Sequence, residues 1–417
     1  MVAQTPVRRF TLDNGLTVVH QRNPISRTFC IGVWTRTGAR DERRGEEGLC
    51  HFLEHMLFKG TLRRSAYEIS LEIERVGGSL DAFTTKDTMC VQAHVLDSHR
   101  DLAIDLIGDM LTGSTFADEL VEVERSVILE EIGDAEDAPD DLIHELFAAA
   151  VFPNHPLGRP ILGTRESIAR FSRADLRRFM RRVFRGSNLV VSVYGNISEK
   201  ELRRKCEQQF SLPAGNVRRS GVRLRRGDPL RKTVRRRLHQ QHVCIGSRTF
   251  SYHEERRFPL TVLTTLLGGS MSSRLFQRIR EEMGLTYNVF TYSDHSRDAG
   301  LMATYVAVKP SNTRRAIDAV FDEYESVRAG GVSKDELRDV KAHIKGRILL
   351  GLETSTARMM RMARNEISYS RQVSEKELLQ RINSVTLDDV LEVASSALDS
   401  ERQSVISLGP RTVGPRL

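Results

Sequence analysis

The chain has 417 residues, a length that favours two domains of about 200 residues each over a single domain. Its composition, 40% hydrophobic and 28% charged, is that of a soluble globular protein, and the lack of any run of about eighteen apolar residues excludes a membrane-spanning helix. The net charge of +8 is not accompanied by a basic motif interleaved with aromatic residues, so we expect a solvated basic surface and no nucleic-acid partner.

The N-terminal segment, Met1 to Phe10, carries two arginines and no apolar core, which argues against a secretory signal. The five cysteines of the chain are an odd number without close pairs, a pattern that fits reduced thiols better than a disulfide framework. We therefore expect a cytoplasmic protein with no membrane anchor.

Apolar and polar residues alternate in the first part of the chain, around Leu16 to His20 and again around Phe29 to Thr35. Asn14-Gly15, in front of the first of these segments, is typical of a tight hairpin turn. This part of the sequence predicts a β-hairpin followed by a further strand.

The next segment, His51-Phe52-Leu53-Glu54-His55, has two histidines four residues apart and a glutamate directly before the second. On a helix, residues four apart lie about 40° from one another and about one turn along the axis, so both imidazoles can reach a single ion. Such an ion needs at least one further protein ligand and an open position for a water molecule, whose proton the neighbouring carboxylate can accept. The pattern predicts a zinc site with His51 and His55 as ligands and Glu54 as the general base of a metallopeptidase, in the inverted order H-x-x-E-H.

Apolar residues on both sides of this motif, Gly48-Leu49-Cys50 and Met56-Leu57-Phe58, continue the helical pattern and place the motif on a mostly buried helix. Unpaired histidines and a glutamate are costly to bury, and metal binding removes that cost. Burial therefore favours a metal site over a chance arrangement of these residues.

The elements predicted after the motif are a helix from Ser65 to about Val76, strands at Leu80 to Thr84 and Met89 to Val95, and a packed helix with Leu102, Leu106, Ile107 and Met110 on one face. An acidic helix follows Asp118, from Glu119 to about Asp134. Glu124 and Glu131 on this helix are seven residues apart, two helical turns, and so share a face. Spacing alone leaves open whether Glu130 or Glu131 is the third metal ligand, and each could equally be a solvated carboxylate.

The first half of the chain closes with predicted helices around Ile168 to Arg185, a strand from Asn188 to Tyr194 and a helix from Glu199 to Phe210. Residues 213–236 then combine glycine and proline with many arginines, including Arg225 and Arg226, and predict a solvated linker. This linker divides the chain into a metal-binding domain, residues 1–212, and a second domain, residues 237–417.

The second domain repeats the first. Three positions recur at a constant offset of 214 (382 − 168): Ile168, Asp175 and Gly195 return as Ile382, Asp389 and Gly409. A long fixed offset indicates duplication of one α/β unit rather than a solenoid of short repeats. Where the first half has the metal motif, the second has Ser273 to Arg280 without a histidine, so only the first half is predicted to hold a metal. His239 and His242 lie in a strand-like stretch that points them to opposite faces, and we predict both to be surface residues.

The segment from Gly48 to Thr61 resembles the active-site segment of the pitrilysin/insulinase family of zinc metallopeptidases, the inverzincins, in particular the β subunit of mitochondrial processing peptidase and its small bacterial relatives. In that family the ligand glutamate follows the second histidine by 76 residues, which selects Glu131 (131 − 55 = 76). A further family glutamate corresponds to Glu124, expected to orient a ligand histidine. The resemblance covers nearly the whole chain and implies an α+β fold of two homologous, duplicated domains, each an antiparallel sheet packed with helices.

The resemblance also implies a substrate site. Gly77 to Thr84 is similar to the edge strand of the family, so Ala82, Phe83 and Thr84 are expected to pair with the backbone of an extended peptide. Arg280 and Tyr287 are similar to the arginine and tyrosine that the second half points at the bound peptide and the transition state. Asp81 departs from the family pattern, in which many members have asparagine, because an ionised aspartate can accept hydrogen bonds but not donate them.

Taken together, these expectations describe a zinc-dependent endopeptidase with one zinc ion per chain that cleaves short or unstructured polypeptides. Family members enclose the substrate between two such two-domain halves, so the resemblance implies a homodimer or a heterodimer with a homologous subunit. The alternative is a non-catalytic or partner subunit of a processing-peptidase-like heterodimer, against which the intact ligand set argues. A zinc lyase with the inverted motif is a third possibility, but such chains resemble one small domain rather than a duplicated pair.

Overall fold

The computed structural model describes residues 5–217, 219 and 228–413. The strands among these residues are β1 (Arg8–Thr11), β2 (Thr17–Arg22), β3 (Thr28–Thr35), β4 (Ser79–Thr84), β5 (Met89–Leu96), β6 (Leu189–Gly195), β7 (Arg231–Arg235), β8 (Gln241–Thr249), β9 (Val289–His295), β10 (Gly300–Val308) and β11 (Ser404–Gly409).

The α-helices are α1 (Leu49–Leu57), α2 (Ala66–Glu74), α3 (Arg100–Gly113), α4 (Asp118–Asp137), α5 (Pro139–Val151), α6 (Arg165–Ile168), α7 (Arg173–Val183), α8 (Glu199–Gln209), α9 (Arg257–Gly268), α10 (Thr313–Arg328), α11 (Lys334–Leu350), α12 (Ser355–Tyr369), α13 (Glu375–Ser384) and α14 (Leu387–Ala397). A π-helical segment spans Phe276–Glu282. None of the helices among the described residues combines the length and the hydropathy that a membrane span requires.

The described residues form two compact units, each with one sheet. The first unit comprises Met1–Gly133, Pro160–Gly221 and Gly351–Gln372, and the second comprises Asp134–Arg159, Val222–Leu350 and Val373–Leu417. The strand order is β1-β2-β6-β3-β5-β4 in the first sheet and β7-β11-β8-β10-β9 in the second. The last five strands of the first sheet and the five of the second follow the same pattern, since one parallel pair, β2 with β6 or β7 with β11, precedes antiparallel neighbours.

The same repeat is visible in the helix caps. Asp175 forms a capping box with Ser172 at the start of α7, and Asp389 forms one with Thr386 at the start of α14. The predicted fold of two duplicated domains, with sheets packed against helices, is confirmed, although each sheet contains one parallel pair of strands where purely antiparallel sheets were predicted. The predicted hairpin at Asn14-Gly15 is confirmed as well, because β1 and β2 pair in antiparallel register on either side of it.

Each unit also contains a helix from the other half of the sequence, which the periodicity did not predict. In the first unit, Met359 and Met362 of α12 pack against Trp34 and Cys90, on the face of the sheet opposite to the main core. In the second unit, α5 packs against β8, β10 and β11. Both faces of each sheet are therefore covered, and the compact units do not follow the order of the chain.

This covering explains one difference from the predictions made on the sequence. His242 is buried in β8 and its Nδ1 lies 2.9 Å from the Tyr305 hydroxyl, so its prediction as a surface residue is wrong: α5 covers the face where we expected solvent. His239 is exposed. In the stretch predicted as a linker, residues 231–235 instead form β7, which pairs with β11 as the counterpart of β2 in the duplicated sheet. Arg225 and Arg226, in the same stretch, lie outside the described residues.

Candidate metal centre

Helix α1 carries both histidines of the motif and the glutamate between them. At its N-cap, Gly48 has a φ of 92°, and a Cβ there would lie 2.5 Å from the Leu162 carbonyl oxygen, so the turn into the helix requires glycine. One side of the helix is packed into the core through Leu49, Cys50, Phe52, Leu53, Met56 and Leu57. His51, Glu54 and His55 are therefore left half-buried on the other side.

The two histidines meet Glu131 of α4. His55 Nε2 lies 3.3 Å from His51 Nε2 and 3.5 Å from Glu131 Oε2, and His51 Nε2 lies 3.8 Å from the same oxygen. Ligand atoms about 2.1 Å from a tetrahedral zinc ion are about 3.4 Å apart. Within the described ranges, this is the one group of histidine, cysteine, aspartate or glutamate side chains close enough to share an ion. Three donor atoms of the types that zinc prefers thus converge with spacings that fit it.

Of the two glutamates that spacing could not separate, the structure brings Glu131 to the histidines. Its neighbour Glu130 is exposed on another side of α4. The turn of a helix moves consecutive residues about 100° apart, so only one of the two can face α1.

The protonation of the histidines suits a metal. Burial, together with the neighbouring imidazole of His55, lowers the pKa of His51 to about 4, so its ring is neutral near pH 7. His55 Nδ1 donates to Glu124 Oε2 at 3.1 Å, which leaves its Nε2 as the lone-pair nitrogen that faces the other two side chains. Glu124, proposed from the sequence to orient a histidine, is thus in contact with one.

Glu54 lies beside this cluster and contacts β4. Thr84 donates from Oγ1 to Glu54 Oε2 at 2.5 Å. Burial raises the pKa of Glu54 above its ordinary value; the carboxylates of Asp81 and Glu131 act in the same direction, and the Thr84 hydrogen bond opposes them. A raised pKa makes this carboxylate a stronger proton acceptor.

Among the described residues, the strand that carries Ala82, Phe83 and Thr84 is the terminal strand of the first sheet and pairs with β5 alone. Its outer edge accordingly offers backbone groups to another extended chain. Asp81 Oδ1 already accepts the N–H of Ala82 at 2.9 Å. The family resemblance predicts a substrate-binding role for Thr84 but not its contact with Glu54, which no local spacing signals.

Arg280 and Tyr287 lie together in the second unit. Arg280 donates to the Tyr287 carbonyl at 3.3 Å, and its guanidinium carbon is 4.6 Å from the centre of the Phe276 ring. Tyr287 is largely exposed at the surface of this unit, with a relative accessibility of 88%.

A buried carboxylate that the sequence analysis did not single out supports the start of α1. Glu42 accepts the N–H groups of Gly48 at 3.0 Å and of Cys50 at 2.7 Å, two groups at the helix start that lack partners within the helix. Burial raises the pKa of Glu42 to about 8. An acidic residue upstream of a helix is a common pattern, so no feature of the sequence distinguishes Glu42 from other acidic residues.

Comparison with known proteins adds a second line of evidence. Residues 17–165 match the family model described as Insulinase (Peptidase family M16), and residues 170–344 match the one described as Peptidase M16 inactive domain. The division agrees with the geometry, because all side chains of the metal cluster lie in the first matched range.

Two bacterial relatives are similar over nearly the whole chain. An uncharacterized zinc protease of Streptomyces coelicolor is 40% identical over 412 residues, 97% of this chain and 90% of the relative. An uncharacterized zinc protease of Bacillus subtilis is 36% identical over 384 residues, 92% of this chain and 94% of the relative.

Two solved structures have the same fold. The crystal structure of a protease from Helicobacter pylori aligns with a TM-score of 0.89 at 20% identity, over 98% of this chain and 100% of that one. A peptidase M16 inactive domain from Pseudomonas fluorescens aligns with a TM-score of 0.91 at 17% identity, over 99% of this chain and 100% of that one. At these identities the likeness concerns the fold alone.

Proposed function

The chain belongs to the insulinase family, peptidase family M16, and we propose that it is a zinc-dependent endopeptidase that cleaves short or unstructured polypeptides. The observation that carries this proposal is the convergence of His51, His55 and Glu131, with their ligand atoms within 4.8 Å of one another, beside the carboxylate of Glu54. The two zinc proteases, which it resembles over 90% and 94% of their length, support the same activity.

His51, His55 and Glu131 would hold one zinc ion per chain. When bound there, zinc supplies a Lewis acid that lowers the pKa of a water molecule and polarises a peptide carbonyl. Glu54 accepts the proton of the attacking water and delivers it to the nitrogen of the leaving amine. Because Thr84 occupies Oε2 of Glu54, the other carboxylate oxygen, Oε1, is the one that carries the proton.

The substrate pairs with the open edge of β4, at Ala82, Phe83 and Thr84. An edge strand binds the backbone of its partner, so it selects extended chains rather than folded domains. Arg280 and Tyr287, by their resemblance to the corresponding family residues, contact the bound peptide and the oxyanion of the transition state. The Arg280→Ala, Tyr287→Phe double variant is then expected to lower kcat/KM with zinc content unchanged, and an unaltered kcat/KM would remove both residues from the mechanism.

We further propose a cytoplasmic enzyme that works as a homodimer or as a heterodimer with a homologous subunit. The five cysteines are free and buried, which suits a reducing compartment. The mass of the purified chain in solution, measured on the same fractions as its peptidase activity, separates a homodimer from a chain that needs a different partner.

The central experiment is Glu54→Gln. We expect this variant to bind zinc like the wild type, since Glu54 lies outside the ligand set, and to cleave a quenched fluorescent peptide at least about 10²-fold more slowly. The matched control is Glu130→Gln, an exposed carboxylate on α4 that leaves zinc content and turnover unchanged. Wild-type turnover by Glu54→Gln would refute the assigned base, and a wild-type chain with neither zinc nor turnover would indicate a non-catalytic subunit instead.

A further inference from the structure

Both carboxylate oxygens of Glu124 have a partner. Oε2 accepts from His55 Nδ1 at 3.1 Å, and Oε1 accepts from Lys59 Nζ at 2.6 Å. Only 4% of the Glu124 side chain is exposed, so water does not replace either partner readily. A carboxylate held at both oxygens by different residues cannot rotate about its last bond without breaking one of the two contacts.

Lys59 is itself tied to the helix that bears the histidines. Its backbone N–H donates to the Met56 carbonyl at 3.2 Å, beyond the last turn of α1, and Gly60 then turns the chain away with a φ of 108°. The ammonium group and the His55 ring therefore reach Glu124 from the same end of one helix. His55 and Lys59 thus link the C-terminal end of α1 to α4 through two contacts with one carboxylate, that of Glu124.

We propose that Lys59 is a positioning residue of the metal centre. Its ammonium group holds Glu124 where this carboxylate fixes the His55 ring, with Nε2 directed at His51 and Glu131. The inference rests on the proposed zinc site, but it does not depend on peptidase activity. Residues that orient a ligand histidine typically contribute about 10–100-fold to metal affinity.

A simple charge effect of Lys59 predicts the opposite result. A positive charge near a divalent cation disfavours binding, so removing an ammonium group that only contributes charge tightens zinc binding. Removing an ammonium group that holds Glu124 in place weakens it. The sign of the change in zinc affinity therefore separates the two roles.

The test is the zinc Kd of the apoprotein, measured by competition with a chromogenic chelator at constant pH. We expect Lys59→Met to weaken zinc binding about 10–100-fold. Lys59→Arg, which keeps a donor at the same position, should recover most of this loss. Lys200→Met, which removes an exposed lysine from the start of α8, is the matched control and should leave the Kd unchanged. An unchanged or tighter Kd in Lys59→Met refutes the proposal.

The double variant Lys59→Met, Glu124→Gln shows whether Lys59 acts through Glu124. We expect its zinc Kd to equal that of Glu124→Gln alone, and a further tenfold loss would refute the proposed route. If Lys59→Met does not fold, the double variant shows whether the unpaired carboxylate of Glu124 is the cause, because it leaves no buried carboxylate without a counterion, and Lys59→Arg then carries the test of zinc affinity. If the wild type binds zinc but cleaves no peptide, the proposed function fails and the test of Lys59 is unaffected; if the wild type binds no zinc, both fail.

Discussion

Substitution of Thr84 by valine tests how Glu54 is held. The two side chains have nearly the same shape, so the change removes the hydroxyl group that donates to Glu54 Oε2 at 2.5 Å without opening a cavity. Valine is also favoured in strands, and β4 should be retained. The predicted consequence is a Glu54 carboxylate free to rotate away from the reacting water.

The size of the effect follows from the type of bond. A hydrogen bond to a charged group contributes about 1.5–3 kcal/mol, and each 1.4 kcal/mol corresponds to a factor of ten. If this stabilisation is lost in the transition state, Thr84→Val lowers kcat/KM by about 10–150-fold. Thr84 is not among the ligand set, so the zinc content of the variant should equal that of the wild type.

The assay is cleavage of a quenched fluorescent peptide, with zinc content determined on the same samples. Thr84→Ser keeps the hydroxyl group and is expected to remain within a few-fold of the wild type, which controls for a general effect at this position. A Thr84→Val variant with unchanged kcat/KM and normal zinc content would show that Glu54 needs no support from β4, and the reasoning would be refuted.

Two further predictions concern stability. Glu366 of α12 is fully buried and pairs with Arg9 and Arg36, both at 3.0 Å, so Glu366→Gln should lower the free energy of unfolding by about 3–5 kcal/mol in a denaturant titration, and a loss below 1 kcal/mol would contradict this. Burial lowers the pKa of His20 to about 4, so below pH 6.5 the unfolded chain binds a proton at this position that the folded chain does not. Stability should therefore fall by up to about 3 kcal/mol from pH 6.5 to 4, and His20→Phe should flatten this part of the profile; an equally steep profile would contradict the assignment.

The sequence by itself determined the parts of this protein that depend on neighbouring residues. The two histidines share a helix face because residues four apart always do, and the hairpin at Asn14-Gly15 follows from the turn that this pair favours. The duplication was visible because equivalent positions recur at one offset. The resemblance to the insulinase family selected Glu131 as the third metal ligand, whereas helical spacing could not distinguish Glu131 from Glu130.

Only the tertiary structure decided which distant residues meet. No spacing predicts that Thr84 contacts Glu54, that Lys59 and His55 share Glu124, or that α12 covers the first sheet, because these contacts depend on packing between elements far apart in the chain. The burial of His242 also depends on such packing, because both faces of its strand are covered, whereas the sequence pattern predicted a solvent-exposed side chain. Periodicity specifies the face on which a side chain lies, whereas the element packed against that face is fixed by the closure of the whole core.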